Sequence, residues 1–98
     1  MGEKVKIKVR FILDYYKYIG KFELNLDIPD KFTLIDLIDY IDKNIKKGFK
    51  EKLLNDNNIK YPNMILINGR RAEFFENLNT KLNENDQIIF SPLAYFAL

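Results

Sequence analysis

Thr33-Leu34-Ile35-Asp36-Leu37-Ile38-Asp39-Tyr40-Ile41-Asp42-Lys43-Asn44-Ile45-Lys46-Lys47-Gly48 reads as one amphipathic helix. Leu34, Leu37, Ile38, Ile41 and Ile45 recur at helical spacing and form an apolar stripe, while Asp36, Asp39 and Asp42 lie toward the other side. Thr33 has the chemistry of an N-cap, and Asp36 stands in the capping-box position behind it. Acid early and base late (Lys43, Lys46, Lys47) suits the helix macrodipole, and Gly48 is a natural stop. The flanking segments decide what this helix packs on.

Upstream, Val5, Ile7, Val9, Phe11 and Leu13 alternate with Lys4, Lys6, Lys8, Arg10 and Ile12, the period of a half-buried strand. Asp14 to Gly20 breaks the pattern with Tyr15, Tyr16 and Tyr18, and Gly20 closes a turn. Phe22, Leu24, Leu26 and Ile28 then alternate with Lys21, Glu23, Asn25 and Asp27 until Pro29-Asp30 ends the strand. An antiparallel hairpin of the two runs sets a basic face against a largely acidic one, which helps fix the register.

Downstream, Phe49 to Leu54 allows a short helical turn, and Tyr61-Pro62 leads into the apolar run Met64-Ile65-Leu66-Ile67, closed by Asn68-Gly69. Ala72 to Phe75 reads as a short edge strand, Asn83-Glu84-Asn85-Asp86 as a polar turn, and Ile88-Ile89-Phe90 as a last strand. Continuous apolar runs suit strands covered on both faces or in mid-sheet. A hairpin, one main helix and further strands lay the helix across one face of a mixed sheet, with the last strand parallel to the first in the centre. That order is the α+β, ubiquitin-like β-grasp, with four to five strands, expected as a single domain over 1–98 with 93–98 as a peripheral tail. A ferredoxin-like fold needs a second long helix, for which Phe49 to Leu54 is too short.

The composition narrows function. The 98 residues are 47% hydrophobic and 31% charged, with no Cys, His or Trp. Disulfides, thiol nucleophiles, histidine bases and ordinary zinc sites are therefore excluded. Ser91 is the only serine, and Thr33 and Thr80 are the only threonines, so no nucleophile–base–orienter triad can be assembled. The expectation is a protein that is not itself an enzyme and needs no cofactor. A net charge of +2 demands neither nucleic acid nor membrane as partner, no apolar run approaches a membrane span, and the start lacks a signal peptide; a cytoplasmic location is expected.

Val5-Lys6-Ile7-Lys8-Val9-Arg10-Phe11, Gly20, Thr33-Leu34-Ile35-Asp36-Leu37-Ile38, Ile65-Leu66-Ile67-Asn68-Gly69 and Thr80-Lys81-Leu82-Asn83-Glu84-Asn85-Asp86-Gln87-Ile88-Ile89-Phe90-Ser91-Pro92, in this order and spacing, resemble the sulfur-carrier branch of the β-grasp. That branch holds the MoaD and ThiS carriers and the ubiquitin-related modifiers. The resemblance implies sulfur transfer into molybdopterin, thiamine or tRNA, with an ATP-dependent adenylating enzyme and a sulfur-acceptor enzyme as partners. In that family a C-terminal Gly-Gly threads a narrow channel, is acyl-adenylated and becomes a thiocarboxylate; glycine suits a channel without room for Cβ atoms.

Here the chain departs from the family. It reads Leu93-Ala94-Tyr95-Phe96-Ala97-Leu98 and holds no Gly-Gly anywhere. Depending on one gap, Tyr95-Phe96 or Phe96-Ala97 falls where the glycines belong, so the resemblance puts the carrier terminus at Phe96, Ala97 and Leu98, where aromatic side chains clash with a glycine channel and oppose thiocarboxylate formation. Three explanations stay open: a family member that keeps the fold as a binding module, a carrier whose native end differs from this one, or an adenylating enzyme with a wider channel. The resemblance places partner contacts at Phe90, Pro92 and the residues after it. Phe74, Phe75, Leu93, Tyr95 and Phe96 add exposed apolar surface for a partner or a homodimer. One of Phe74 and Phe75 is expected in the core, and core is also the plain alternative for Phe90.

Other constellations have simpler readings beside them. Lys4, Lys6, Lys8 and Arg10 near Tyr15, Tyr16 and Tyr18 could stack and track RNA; the simpler reading pairs the lysines with Glu23 and Asp27 and packs the tyrosines over the hairpin end. Asp36, Asp39 and Asp42 make a solvated helix face sooner than a metal site, and Arg70-Arg71 a solvated turn sooner than a phosphate grip.

Overall fold

The computed structural model describes residues 3–92. Alternation in β1 (Lys4–Phe11) turns Ile7, Val9 and Phe11 into the core and its basic residues outward. β1 pairs antiparallel with β2 (Glu23–Pro29), Arg10 opposite Glu23 and Lys6 opposite Asp27. The opposed charges meet: the Glu23 carboxylate lies 3.0 Å from Arg10 Nε and 3.9 Å from Lys8 Nζ. Such half-exposed pairs mainly set register and add little stability.

The break between these strands holds more than a turn. Residues Asp14–Ile19 form a short helix, α1, ended by Gly20 in the left-handed region at φ 87°. Its periodicity spans too few residues to be seen in sequence; the burial of Tyr15, only 3% exposed, holds it down.

In α2 (Leu34–Asn44) the expected capping box is present. Asp36 N–H donates to Thr33 Oγ1 at 3.4 Å and Thr33 N–H donates to Asp36 Oδ2 at 3.0 Å. Leu34, Leu37, Ile38 and Ile41 are fully buried against the sheet. The helix stops at Asn44, short of Gly48, which instead turns the chain at φ 99° into α3 (Phe49–Leu53). The Asp42 carboxylate secures that corner, accepting from Gly48 N–H at 3.0 Å and Lys50 N–H at 2.9 Å. The polar Asn55-Asp56-Asn57-Asn58 stretch is the turn between β3 (Leu54–Asn55) and β4 (Asn58–Ile59), a small separate antiparallel pair.

β5 (Met64–Ile67) and β6 (Arg70–Arg71) flank the Asn68-Gly69 turn, both of whose residues have positive φ. This corrects the edge strand expected at Ala72 to Phe75. So tight a turn pairs Ile67 with Arg70 at once, and Ala72–Phe74 winds into a 3-10 turn that buries Ala72. A second 3-10 turn, Asn77–Asn79, leads toward β7 (Gln87–Ser91). The five-stranded sheet runs β2-β1-β7-β5-β6, with β7 central, parallel to β1 and antiparallel to β5. This is the expected β-grasp order, with α2 across one face. Among the described residues no helix is long and apolar enough to cross a membrane.

Two substitutions test the local devices. Thr33→Ala removes one partner of the capping box and is expected to lower unfolding free energy by about 1 kcal/mol in urea titration. Gly48→Ala is expected to cost roughly 1–2 kcal/mol for its left-handed backbone. An added Cβ would also lie 2.8 Å from Tyr18 Oη, so the loss should shrink in a Tyr18→Phe background.

Candidate functional site

β7, the central strand, carries the chain out of the sheet at Ser91, and Pro92 is the last described residue. An aromatic cluster holds that exit. Phe90 stacks on Phe11 with centroids 5.7 Å apart and meets Phe49 edge-on at 5.1 Å; Phe11 and Phe49 complete the triangle at 5.9 Å. All three rings are fully buried. Their residues come from β7, β1 and α3, so the alternation of two strands and the Gly48 corner together place them. Edge-to-face and offset geometry adds to the area term in such clusters.

Tyr15 caps the cluster from α1, its ring edge-on to Phe49 at 5.6 Å. Its hydroxyl donates to Asn63 Oδ1 at 2.7 Å, and Asn63 Nδ2 donates in turn to the Lys52 carbonyl at 3.1 Å. Burial pushes the Tyr15 hydroxyl pKa well above the ordinary tyrosine value, and the neighbouring Tyr18 hydroxyl adds in the same direction. Tyr15, Asp14, Lys52, Asn63 and Pro92 line a hollow of about 160 Å³ at the exit. The backbone is tied here as well: Ile12 N–H donates to the Phe90 carbonyl at 3.2 Å. The arrangement brings no nucleophile, base and orienter together; it presents a chain segment at a fixed place.

Residues 4–94 match the profile of Urm1, the ubiquitin related modifier family. The chain belongs to that family. Urm1 from Trypanosoma brucei superposes with a TM-score of 0.72 at 21% identity, covering 92% of this chain and 93% of that one. A putative molybdopterin converting factor, subunit 1, from Pyrococcus furiosus gives 0.70 at 24%, covering 88% and 94%. A chain of the Amycolatopsis orientalis BexX/CysO complex gives 0.74 at 16%, covering 89% and 94%. At these identities the likeness shows the ubiquitin-like fold. No curated protein sequence matches the chain.

Within this ubiquitin-fold carrier and modifier family, the sequence-derived candidates scatter. Pro92 stands at the exit, half-buried. Phe90 is a correction: its ring is sealed in the aromatic cluster, so it supports the exit and offers no side chain to a partner. Phe74 and Phe75 are both exposed, 73% and 44%, which overturns the expectation that one is core; Ala72 and Leu78 fill the interior there. They follow the edge strand β6, on the far side of β5 from β7. Leu93, Tyr95, Phe96, Ala97 and Leu98 lie outside the described residues.

The competing constellations each have structural employment. Lys8 and Arg10 face Glu23 as described, on the simpler of the two readings. Asp36 caps α2, Asp39 pairs with Lys50 Nζ at 2.8 Å, and Asp42 holds the Gly48 corner. Arg70 is exposed and Arg71 lies 3.9 Å from Glu73. What sequence reasoning missed is α1 as part of the exit. The signal was the cluster Tyr15, Tyr16 and Tyr18, which packs over the hairpin end as expected but splits into a buried anchor, an exposed Tyr16 and a half-buried Tyr18.

Tyr15 yields a pH test. With its pKa raised in the fold, the folded chain keeps a proton that the unfolded chain loses above about pH 10, so this contribution is full below that pH and declines above it. Tyr15→Phe leaves Asn63 Oδ1 short of a donor and should cost about 1 kcal/mol at neutral pH. Urea titrations at about pH 8 and about pH 11 should show the gap between wild type and variant narrowing as pH rises.

Proposed function

We propose that this member of the ubiquitin-related modifier family acts by being recognised, as a non-enzymatic carrier whose C-terminal segment is handed to an ATP-dependent adenylating enzyme and then to a sulfur-acceptor enzyme. The observation that carries the reading is the family match over residues 4–94, joined to an exit where β7 delivers the chain from a rigid aromatic seat. The structural neighbour from the BexX/CysO complex supports a life spent in complexes with other proteins. In the carrier step, the terminal carboxylate attacks the α-phosphate of ATP and releases pyrophosphate. A sulfur donor then displaces AMP from the acyl group and leaves a thiocarboxylate.

By resemblance Tyr95-Phe96 or Phe96-Ala97 stands where the family has glycine, which favours a second reading: a binding module that keeps the fold and uses its apolar tail to hold a partner or a second copy. Pyrophosphate exchange by the adenylating enzyme of the same organism separates the two. The carrier reading expects exchange that depends on this chain and rises when Tyr95→Gly and Phe96→Gly open the tail. Exchange absent from both forms favours the binding module. The intact mass of the protein from its own host adds a direct check, since a thiocarboxylate exchanges one oxygen for sulfur.

A further inference from the structure

Asn68-Gly69 is the only Asn-Gly pair in the sequence, and it forms the turn between β5 and β6 with φ 52° at Asn68 and 84° at Gly69. Backbone preference alone accounts for Asn and Gly in such a turn. The Asn68 side chain is nevertheless held at both polar atoms. Nδ2 donates to Asp86 Oδ1 at 2.8 Å, and Oδ1 accepts from Gln87 N–H at 2.9 Å. Asp86 is only 9% exposed, and its Oδ2 accepts from Asn83 N–H at 2.7 Å. Its carbonyl accepts from Lys8 N–H at 3.0 Å. One side-chain amide thus ties the β5–β6 turn to the start of β7, and through Asp86 to β1.

Asn followed by Gly is a labile pair, because glycine has no Cβ to shield its nitrogen from the side chain before it. The Gly69 nitrogen gives up its proton to solvent and attacks Asn68 Cγ. A new N–Cγ bond forms, the Cγ–Nδ2 bond breaks, and Nδ2 departs as ammonia to leave a cyclic imide. Water then opens either carbonyl of the ring, giving aspartate or isoaspartate at 68. An added Cβ on Gly69 meets nothing within 4 Å, so the corner is open to such a rearrangement. What opposes it is the hold on the amide, since losing Nδ2 means losing the bond to Asp86.

The product cannot restore that bond. Aspartate at 68 sets an oxygen where Nδ2 stood, so two carboxylate oxygens without a proton between them meet at the Asp86 contact. Isoaspartate lengthens the backbone of a turn that pairs Ile67 directly with Arg70. We propose that Asn68 is a deamidation site gated by the hold of Asp86 and Gln87 on its amide, and that its conversion releases the β5–β6 turn from β7. The change runs one way, and it is independent of what the C-terminal segment does.

The test incubates the full-length chain at mildly alkaline pH, folded and in urea, and follows the exchange of NH2 for OH at Asn68 by peptide mass spectrometry. Deamidation is expected to be at least about tenfold slower in the folded chain, where the two hydrogen bonds must open first. Equal rates in the two states overturn the gate. Asp86→Asn turns an amide nitrogen toward Nδ2 and should raise the folded rate several-fold, with circular dichroism confirming the fold. A folded Asp86→Asn chain that reacts like wild type also overturns the gate. Asn68→Asp fixes the product and is expected to lower Tm. Exchanging the pair, Asn68→Asp with Asp86→Asn, should recover most of the loss, because an amide again faces a carboxylate and Gln87 N–H keeps an acceptor. An Asn68→Asp chain as stable as wild type, or an exchanged pair no better than Asn68→Asp alone, overturns the stated consequence of the modification.

Discussion

The contact of Phe90 with Phe11 and Phe49 is the constraint on which the rest of the molecule depends. It joins the central strand, its parallel neighbour and the short third helix in one buried cluster, at the end of the sheet where the chain departs. Phe49 reaches the cluster because Gly48 adopts a left-handed backbone and Asp42 holds the turn. Tyr15 reaches it because the β1–β2 connection coils into a helix. Loss of any of these rings would open a cavity at that exit, costing about 3–5 kcal/mol for a buried phenylalanine.

In this chain of the ubiquitin-related modifier family, that seat fixes the end of the central strand. β7 is hydrogen-bonded on both sides, parallel to β1 and antiparallel to β5. On the charged face beside it Lys8 and Arg10 pair with Glu23 across the strands, and the aspartates of α2 are engaged in capping, turn and ion-pair contacts.

Much of the architecture was legible because period and caps are local. The stripe Leu34, Leu37, Ile38 and Ile41, the Thr33–Asp36 capping box and the β1–β2 register all follow from spacing within one element or one hairpin. The failures also have local causes. Asp14–Ile19 is too short for a helical period to show, and the β6 edge began at Arg70 because a two-residue turn returns the chain at once. One of Phe74 and Phe75 was expected in the core on hydrophobicity alone, yet a 3-10 turn gave the interior position to Ala72.

The sequence by itself determined the β-grasp order, since that order depends on residue type and spacing along the chain. Tertiary structure decided which aromatics are anchors and which are surface. Tyr15 and Tyr16 are adjacent and chemically alike, but one lies under Asn63 and against Phe49 while the other faces outward against Phe22. Phe90, where the resemblance put a partner contact, is sealed in the core, while Phe74 and Phe75, one of which was expected in the core, are both exposed. Burial is set by what distant segments bring to a side chain, and no property of the residue alone carries that information.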